Sequence, residues 1–176
     1  VSLGADTERS RPDTGGERLQ LYEREPLEAE VGVAACCRGG KAPSGDVARS
    51  FKSAEGILYL IVADGMGSGK EASEDSAAAA ALAEKLLRAG IGPETVLRTL
   101  NTALLLRSEK RICSLSLDLM SVNLFTGETC VYKYGAAPSY VRSGSVVRAV
   151  QGSTPAAGTD DVGPDCSRRR AGVCTR

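Results

Sequence analysis

From Ser44 to Gly65 the chain reads as two strand-length runs mirrored about Glu55. The second run, Ile57-Leu-Tyr-Leu-Ile-Val-Ala63, is apolar at both parities, the pattern of a strand buried on both faces in the middle of a covered sheet. A turn at Ala54-Glu55-Gly56 joins the runs into a β-hairpin, so residues whose numbers sum to 110 become cross-strand neighbours. The period then changes. Lys70 to Ala89 is a run of good helix formers with an apolar stripe at Ala72, Ala79, Leu82, Ala83, Leu86 and Leu87, closed by Gly90 in the C′ position. Pro93 suits the first turn of a second helix, whose Val96, Leu97, Leu100, Ala103 and Leu104 keep helical spacing to about Ser108.

Beyond Ile112 the period falls back toward two. Strands are expected over 112–124, 129–134, 139–142 and 146–151, with turns at Thr126-Gly-Glu128 and Ser143-Gly-Ser145, and together they read as an antiparallel meander. Two further strands are expected before the hairpin, over 19–24 and 29–37, and residues 1–18 read as a polar linker or disordered tail. Strands on both sides of a helix pair define an α+β domain in which helices cover stacked antiparallel sheets.

The hairpin carries the chemistry. Asp46 and Asp64 fall on facing positions, and two carboxylates at cross-strand distance either share a proton or share a cation. A hard divalent ion held by oxygen ligands resolves the repulsion and makes the chain a candidate metal-dependent hydrolase, whereas two solvated aspartates splaying apart is the plain alternative. Composition narrows the options. Histidine is absent, which excludes the serine triad, the cysteine–histidine dyad and imidazole-ligated zinc. Basic and acidic residues number 22 each, so no net field draws the chain to nucleic acid or an anionic membrane, and 4% aromatic content without Trp denies it stacking platforms. The six cysteines lack C-x-x-C spacing and read as reduced thiols in a cytoplasmic compartment. No apolar run approaches the roughly 20 residues that span a bilayer, so no membrane contact is expected of this segment.

The glycines of Asp64-Gly-Met-Gly-Ser-Gly69 do not make a phosphate-cradling P-loop, which would need Gly at position 64 and Ser or Thr at 71, where the chain has Asp64 and Glu71. A sharp turn and close backbone approach explain them better. Lys41, Arg38 and Arg49 are near enough in sequence for one to touch substrate phosphate, or to be plain loop charges. Arg107 and Ser108 close the second helix and read as structural or phosphate-contacting, and Asp118, inside an apolar strand, reads as a hydrogen-bonded structural carboxylate, with a metal-ligand role as the lesser alternative.

Ser44-Gly-Asp46, Asp64-Gly-Met-Gly-Ser-Gly69, Leu104-Leu-Leu-Arg-Ser108, Ser114-Leu-Ser-Leu-Asp118, Asn123-Leu-Phe-Thr-Gly127 and Gly135-Ala-Ala-Pro-Ser139, in this order, make residues 17–157 resemble the phosphatase domain of the stage II sporulation protein E family, which are PPM-type metal-dependent serine/threonine phosphatases. The resemblance implies a four-layer α/β/β/α sandwich of two stacked antiparallel sheets and a site for two manganese or magnesium ions. It assigns Asp46 and Asp64 as bridging ligands with a catalytic role, and Gly65 as a carbonyl ligand. It also implies a phosphorylated anti-anti-sigma factor as substrate, a helix pair that switches the metal site, and a membrane anchor in an N-terminal region that this segment, beginning at Val1, does not contain. Homodimerisation is left open.

The partial phosphatase domain is expected to span 19–157. After Gly158 the chain no longer offers the family's second Asp-Gly motif, and 158–176 is expected to be an irregular, disordered tail, leaving the sandwich incomplete at its C-terminal end. Asp160 and Asp161 are weak substitutes for the missing aspartate. A weakened enzyme, or a dead module that only docks the partner, follows as the alternative reading.

Overall fold

The computed structural model describes residues 11–12, 19–20, 23–35, 45–65, 70–108 and 114–170. In chain order the elements are β1 (Arg11–Pro12), β2 (Leu19–Gln20), β3 (Asp46–Lys52), β4 (Ile57–Gly65), α1 (Lys70–Arg88), α2 (Pro93–Ser108), β5 (Leu115–Asn123), β6 (Glu128–Tyr134), β7 (Ser139–Ser143), β8 (Val146–Val150) and β9 (Asp165–Arg170). Strands β3-β4-β5-β6-β9 form one antiparallel sheet in that order, while β1 with β2 and β7 with β8 make separate two-stranded ribbons. The expected α+β class, with antiparallel sheets and two covering helices, is what the chain adopts.

The sheet has one dry face. Tyr59, Ile61 and Ala63 of β4, Leu115, Leu117 and Leu119 of β5, and Cys130, Tyr132 and Tyr134 of β6 alternate onto it and are buried. Odd residues of β5 share this face with even residues of β6 because their register pairs Leu117 with Tyr134 and Leu119 with Tyr132. Helix α1 lies against β3 and β4 and buries Ser76, Ala79, Ala80, Ala83 and Leu87, the first four short enough to let the backbones approach closely. It ends as its sequence dictates. Gly90 adopts φ +82, its N–H bonds to the Leu87 carbonyl (3.0 Å) and the Ile91 N–H bonds to Leu86 (3.1 Å), a paired closure that satisfies orphan carbonyls of the last turn. Helix α2 packs beside α1 and buries Val96, Leu97, Leu100 and Leu104.

Several expectations need correction. β4 lies inside the sheet, between β3 and β5, but is not covered on both sides: Leu58 and Leu60 are half-buried and Val62 is 47% exposed on the face away from the helices. Leu82, assigned to the apolar stripe of α1, is 39% exposed. Residues 29–35 form no strand, since a run so rich in small residues has no partner edge among the described residues, and Leu27 contributes only a single backbone bond to Leu124. The four-strand meander breaks after β6. Gly135, at φ +56, turns the chain out of the sheet and donates its N–H to the Thr154 carbonyl, so the hairpin of β7 and β8 stands apart.

The segment after Gly158, expected to be irregular, is held at both ends. Asn101, buried on α2, donates to the carbonyls of Asp160 (2.9 Å) and Val162 (3.3 Å) and accepts from the Gly158 N–H (2.8 Å), while the Tyr134 hydroxyl donates to Val162 (2.7 Å). Residues 165–170 then pair with β6. The unfilled edge of β6 offers backbone donors and acceptors, and that demand outweighs the low apolar content of Asp165-Cys-Ser-Arg-Arg-Arg170. The expectations for residues 1–10, 13–18, 21–22, 36–44, 66–69, 109–113 and 171–176, including Arg38, Lys41, Gly67, Gly69 and Cys36, Cys37, Cys113 and Cys174, lie outside the described residues.

Candidate metal centre

Asp46 opens β3 and Asp64 is the last residue but one of β4, and the register pairs them directly. Every pair in the hairpin, from Asp46 with Asp64 to Lys52 with Leu58, follows the sum of 110 expected from a turn at Ala54-Glu55-Gly56. Gly56 sits in that turn at φ +72, a left-handed conformation that glycine takes without strain. The register therefore descends from local turn chemistry, with Ser53 receiving the Gly56 N–H and donating its own N–H to Ile57.

Both aspartates project from the sheet face opposite the helices, at the end where β4 stops. Although Asp64 reaches solvent, its carboxyl is held above the ordinary value of 3.8, first by partial desolvation, then by its hydrogen bond to Asp46 and by the charge of Asp46. The pair thus prefers to hold a proton or another positive charge between its oxygens. On the third strand Ser116 faces Asp64.

Gly65, which follows, is buried beneath α1. A Cβ there would lie 2.7 Å from both the Ala72 carbonyl oxygen and Ser76 Oγ, so only glycine fits the approach of the helix. Ser76 returns its hydroxyl to the Ala72 carbonyl at 3.0 Å. On the other side, a Cβ at Gly45 would stand 3.4 Å from the Gly65 carbonyl oxygen. Two carboxylates and a nearby main-chain carbonyl are an all-oxygen donor set of the kind hard divalent cations take, and they fit part of one coordination shell. Among the described residues no third His, Cys, Asp or Glu joins the pair.

The remaining candidates are engaged elsewhere. Arg49 bonds Glu84 on α1 (3.0 Å), and Arg88 bonds the same carboxylate (2.9 Å) while stacking 4.3 Å over the Phe51 ring. Arg107 reaches Asp75 of α1 at 3.1 Å, tying the end of α2 to the start of α1. Asp118 is a hydrogen-bonded carboxylate, as its apolar setting implies, but its partner Lys133 was not singled out from sequence. The signal was available: a hairpin turn at Thr126-Gly-Glu128 puts Lys133 opposite Asp118. Asp160 and Asp161 stay exposed in the loop held by Asn101. Asn101 and Asp165 carried no sequence signal, because both bind backbone atoms outside their own elements, Asn101 those of the 158–162 loop and Asp165 those of Ser153 and Thr154.

Helices covering one face of an antiparallel sheet form a fold that this chain shares with solved PP2C-type phosphatase domains. The solved PP2C phosphatase domain of SpoIIE from Bacillus subtilis, with a fragment of its regulatory domain, superposes with a TM-score of 0.79 at 24% identity, over 93% of this chain and 50% of that one. RsbX in complex with magnesium superposes at 0.62 with 22% identity, over 76% of this chain and 64% of that one. The sequence profile of the stage II sporulation protein E family matches residues 54–169, and the chain belongs to that family. It is 32% identical over 124 residues to stage II sporulation protein E of Priestia megaterium and 32% over 139 residues to that of Bacillus subtilis (strain 168), covering 70% and 79% of this chain. It spans only about a fifth of the length of these relatives, 21% and 17%. The family match runs past Gly158, where the departure was expected, and into β9.

Proposed function

We propose that this chain is the metal-binding part of a protein serine/threonine phosphatase domain, in which Asp46, Asp64 and the Gly65 carbonyl hold manganese or magnesium. The observation that carries the reading is the direct pairing of Asp46 with Asp64, together with the raised proton affinity of Asp64. A bound divalent ion lowers the pKa of its water and neutralises charge on phosphoryl oxygens. The chain's own contribution is placement. Two strands of one hairpin fix the carboxylates without a flexible loop between them, and α1 closes over Gly65 so that its backbone cannot drift. Hydrolysis without histidine is consistent with such a site, since the carboxylates hold the ion and need not shuttle protons.

The substrate we infer is a phosphoserine or phosphothreonine on a small protein of the anti-anti-sigma type, as sporulation signalling by this family implies. No helix among the described residues is long and apolar enough to cross a membrane. The absence of a third carboxylate beside the pair, among the described residues, favours a second reading in which the chain docks its partner but turns it over slowly. Manganese calorimetry tests the first reading: the parent chain binds the ion and releases phosphate from a phosphoserine protein, and Asp64→Asn loses both. Equal manganese binding by parent and variant would sink it.

A further inference from the structure

Lys133 is the last residue but one of β6, with 1% of its side chain exposed, the one buried lysine among the described residues. Removing an ammonium from water is costly and is offset only by a full set of partners. Lys133 has that set: its Nζ donates to Asp118 Oδ2 (2.6 Å), to the Ala137 carbonyl (2.8 Å) and to Ser139 Oγ (2.8 Å), which uses all three of its protons. The Ser139 hydroxyl donates in turn to the same Asp118 oxygen at 2.6 Å. The acceptors come from β5, from the loop 135–138 and from β7. An apolar side chain would fill the same volume without the desolvation cost, so what the network adds is a single path for that loop.

The path matters because of where it begins. Register pairs Asp46 with Asp64, Asp64 with Ser116, and Leu117 with Tyr134, so Gly135 leaves β6 in the row that holds both aspartates. Two strand spacings separate it from Asp64, roughly 10 Å. Gly135 is pinned as well: a Cβ would lie 2.7 Å from the Ala156 backbone, and its N–H bonds Thr154 (3.0 Å). Between these anchors Gly135, Ala137 and Pro138 are exposed and carry no charge. A rigid, neutral rim at this distance suits the polypeptide flanking a phosphoserine better than the phosphate itself.

We propose that Lys133 is a positioning residue that, through Asp118, Ala137 and Ser139, sets the 135–138 loop as the wall receiving the peptide on either side of the phosphorylated residue. The inference rests on the phosphatase reading above. Its test uses the full chain with manganese and a phosphoserine peptide, and takes Ser139→Ala as the mild variant beside Lys133→Met, which is at risk of unfolding. Ser139→Ala should keep the parent's circular dichroism and its manganese affinity within about twofold. It should speed amide exchange at 136–140 about tenfold and raise KM about fivefold with kcat nearly unchanged, and Ser139→Thr should restore the parent values. A Ser139→Ala chain with faster exchange but the parent's KM, or one that loses kcat and manganese affinity together, overturns the proposal alone. A parent that binds no manganese and cleaves no peptide overturns the phosphatase reading and this inference with it.

Discussion

At Asp64 the fold holds a carboxyl where its charge is unwelcome. Its proton affinity is raised by desolvation and by Asp46, so without metal this site binds more proton in the folded chain than in the unfolded one. The stability contributed by that proton is complete below the ordinary aspartate value of 3.8 and is lost as pH rises through the higher folded value. In EDTA, the melting temperature of the parent relative to that of Asp64→Asn should therefore fall as pH climbs above about 4, the other carboxylates being common to both. Manganese at about a hundred times its dissociation constant should add about 2.7 kcal/mol to the parent at pH 7 and nothing to the variant. The same residue scale explains why this much was readable in advance. A two-residue error in the turn would have separated the aspartates, and Gly56 at φ +72 is what fixes the turn. Lys133 went unread because a lone lysine in a strand ordinarily faces water, and only its register with Asp118 says otherwise.

Among elements, the helices were the most legible, because their signals are local: α1 stops at Gly90 and α2 starts at Pro93 as capping chemistry requires. The polar residue inside α2 was not. Asn101 sits among Leu97, Leu100 and Leu104 with 1% exposure, and its amide serves three backbone groups of the 158–162 loop. Asn101→Ala should cost about 1–3 kcal/mol by urea denaturation, since it leaves buried backbone groups without partners. Hydrogen exchange should quicken at Gly158 while the β3–β4 hairpin keeps its protection, because no bond of Asn101 reaches that hairpin. At the start of β9 Asp165 acts in a similar way on 153–154. Its carboxylate accepts the N–H groups of Thr154 (2.7 Å) and Ser153, which holds its pKa below the ordinary range, so its contribution is present above the unfolded value and fades as pH falls through the lowered one.

For the whole molecule, the decisive contact is that between β6 and β9. It closes the sheet with six paired residues and brings the chain's last described strand to the edge that the break after β6 left open. Ending the chain after Pro164 should lower the melting temperature by roughly 5 °C or more and raise light scattering on heating, because a bare β6 edge can recruit another chain. A truncated chain as stable and as monodisperse as the parent would show that β9 contributes little. The other sheet face remains the less protected one, with Val62 at 47% exposure beside half-buried Leu60 and Met120.

Within some twenty residues the sequence by itself determined a great deal: the hairpin and its register, the facing aspartates, both helices with their ends, and the strand–turn–strand of 115–134. Each rests on side-chain period or turn residues acting between near neighbours, where few alternatives compete. Tertiary structure alone decided that an arginine-rich segment becomes β9, that β7 and β8 leave the sheet, and that a lysine is drawn inside. Those outcomes depend on which backbone edge and which buried acceptors remain unsatisfied once the rest of the chain has folded, and no stretch of sequence carries that information about a partner so far along it.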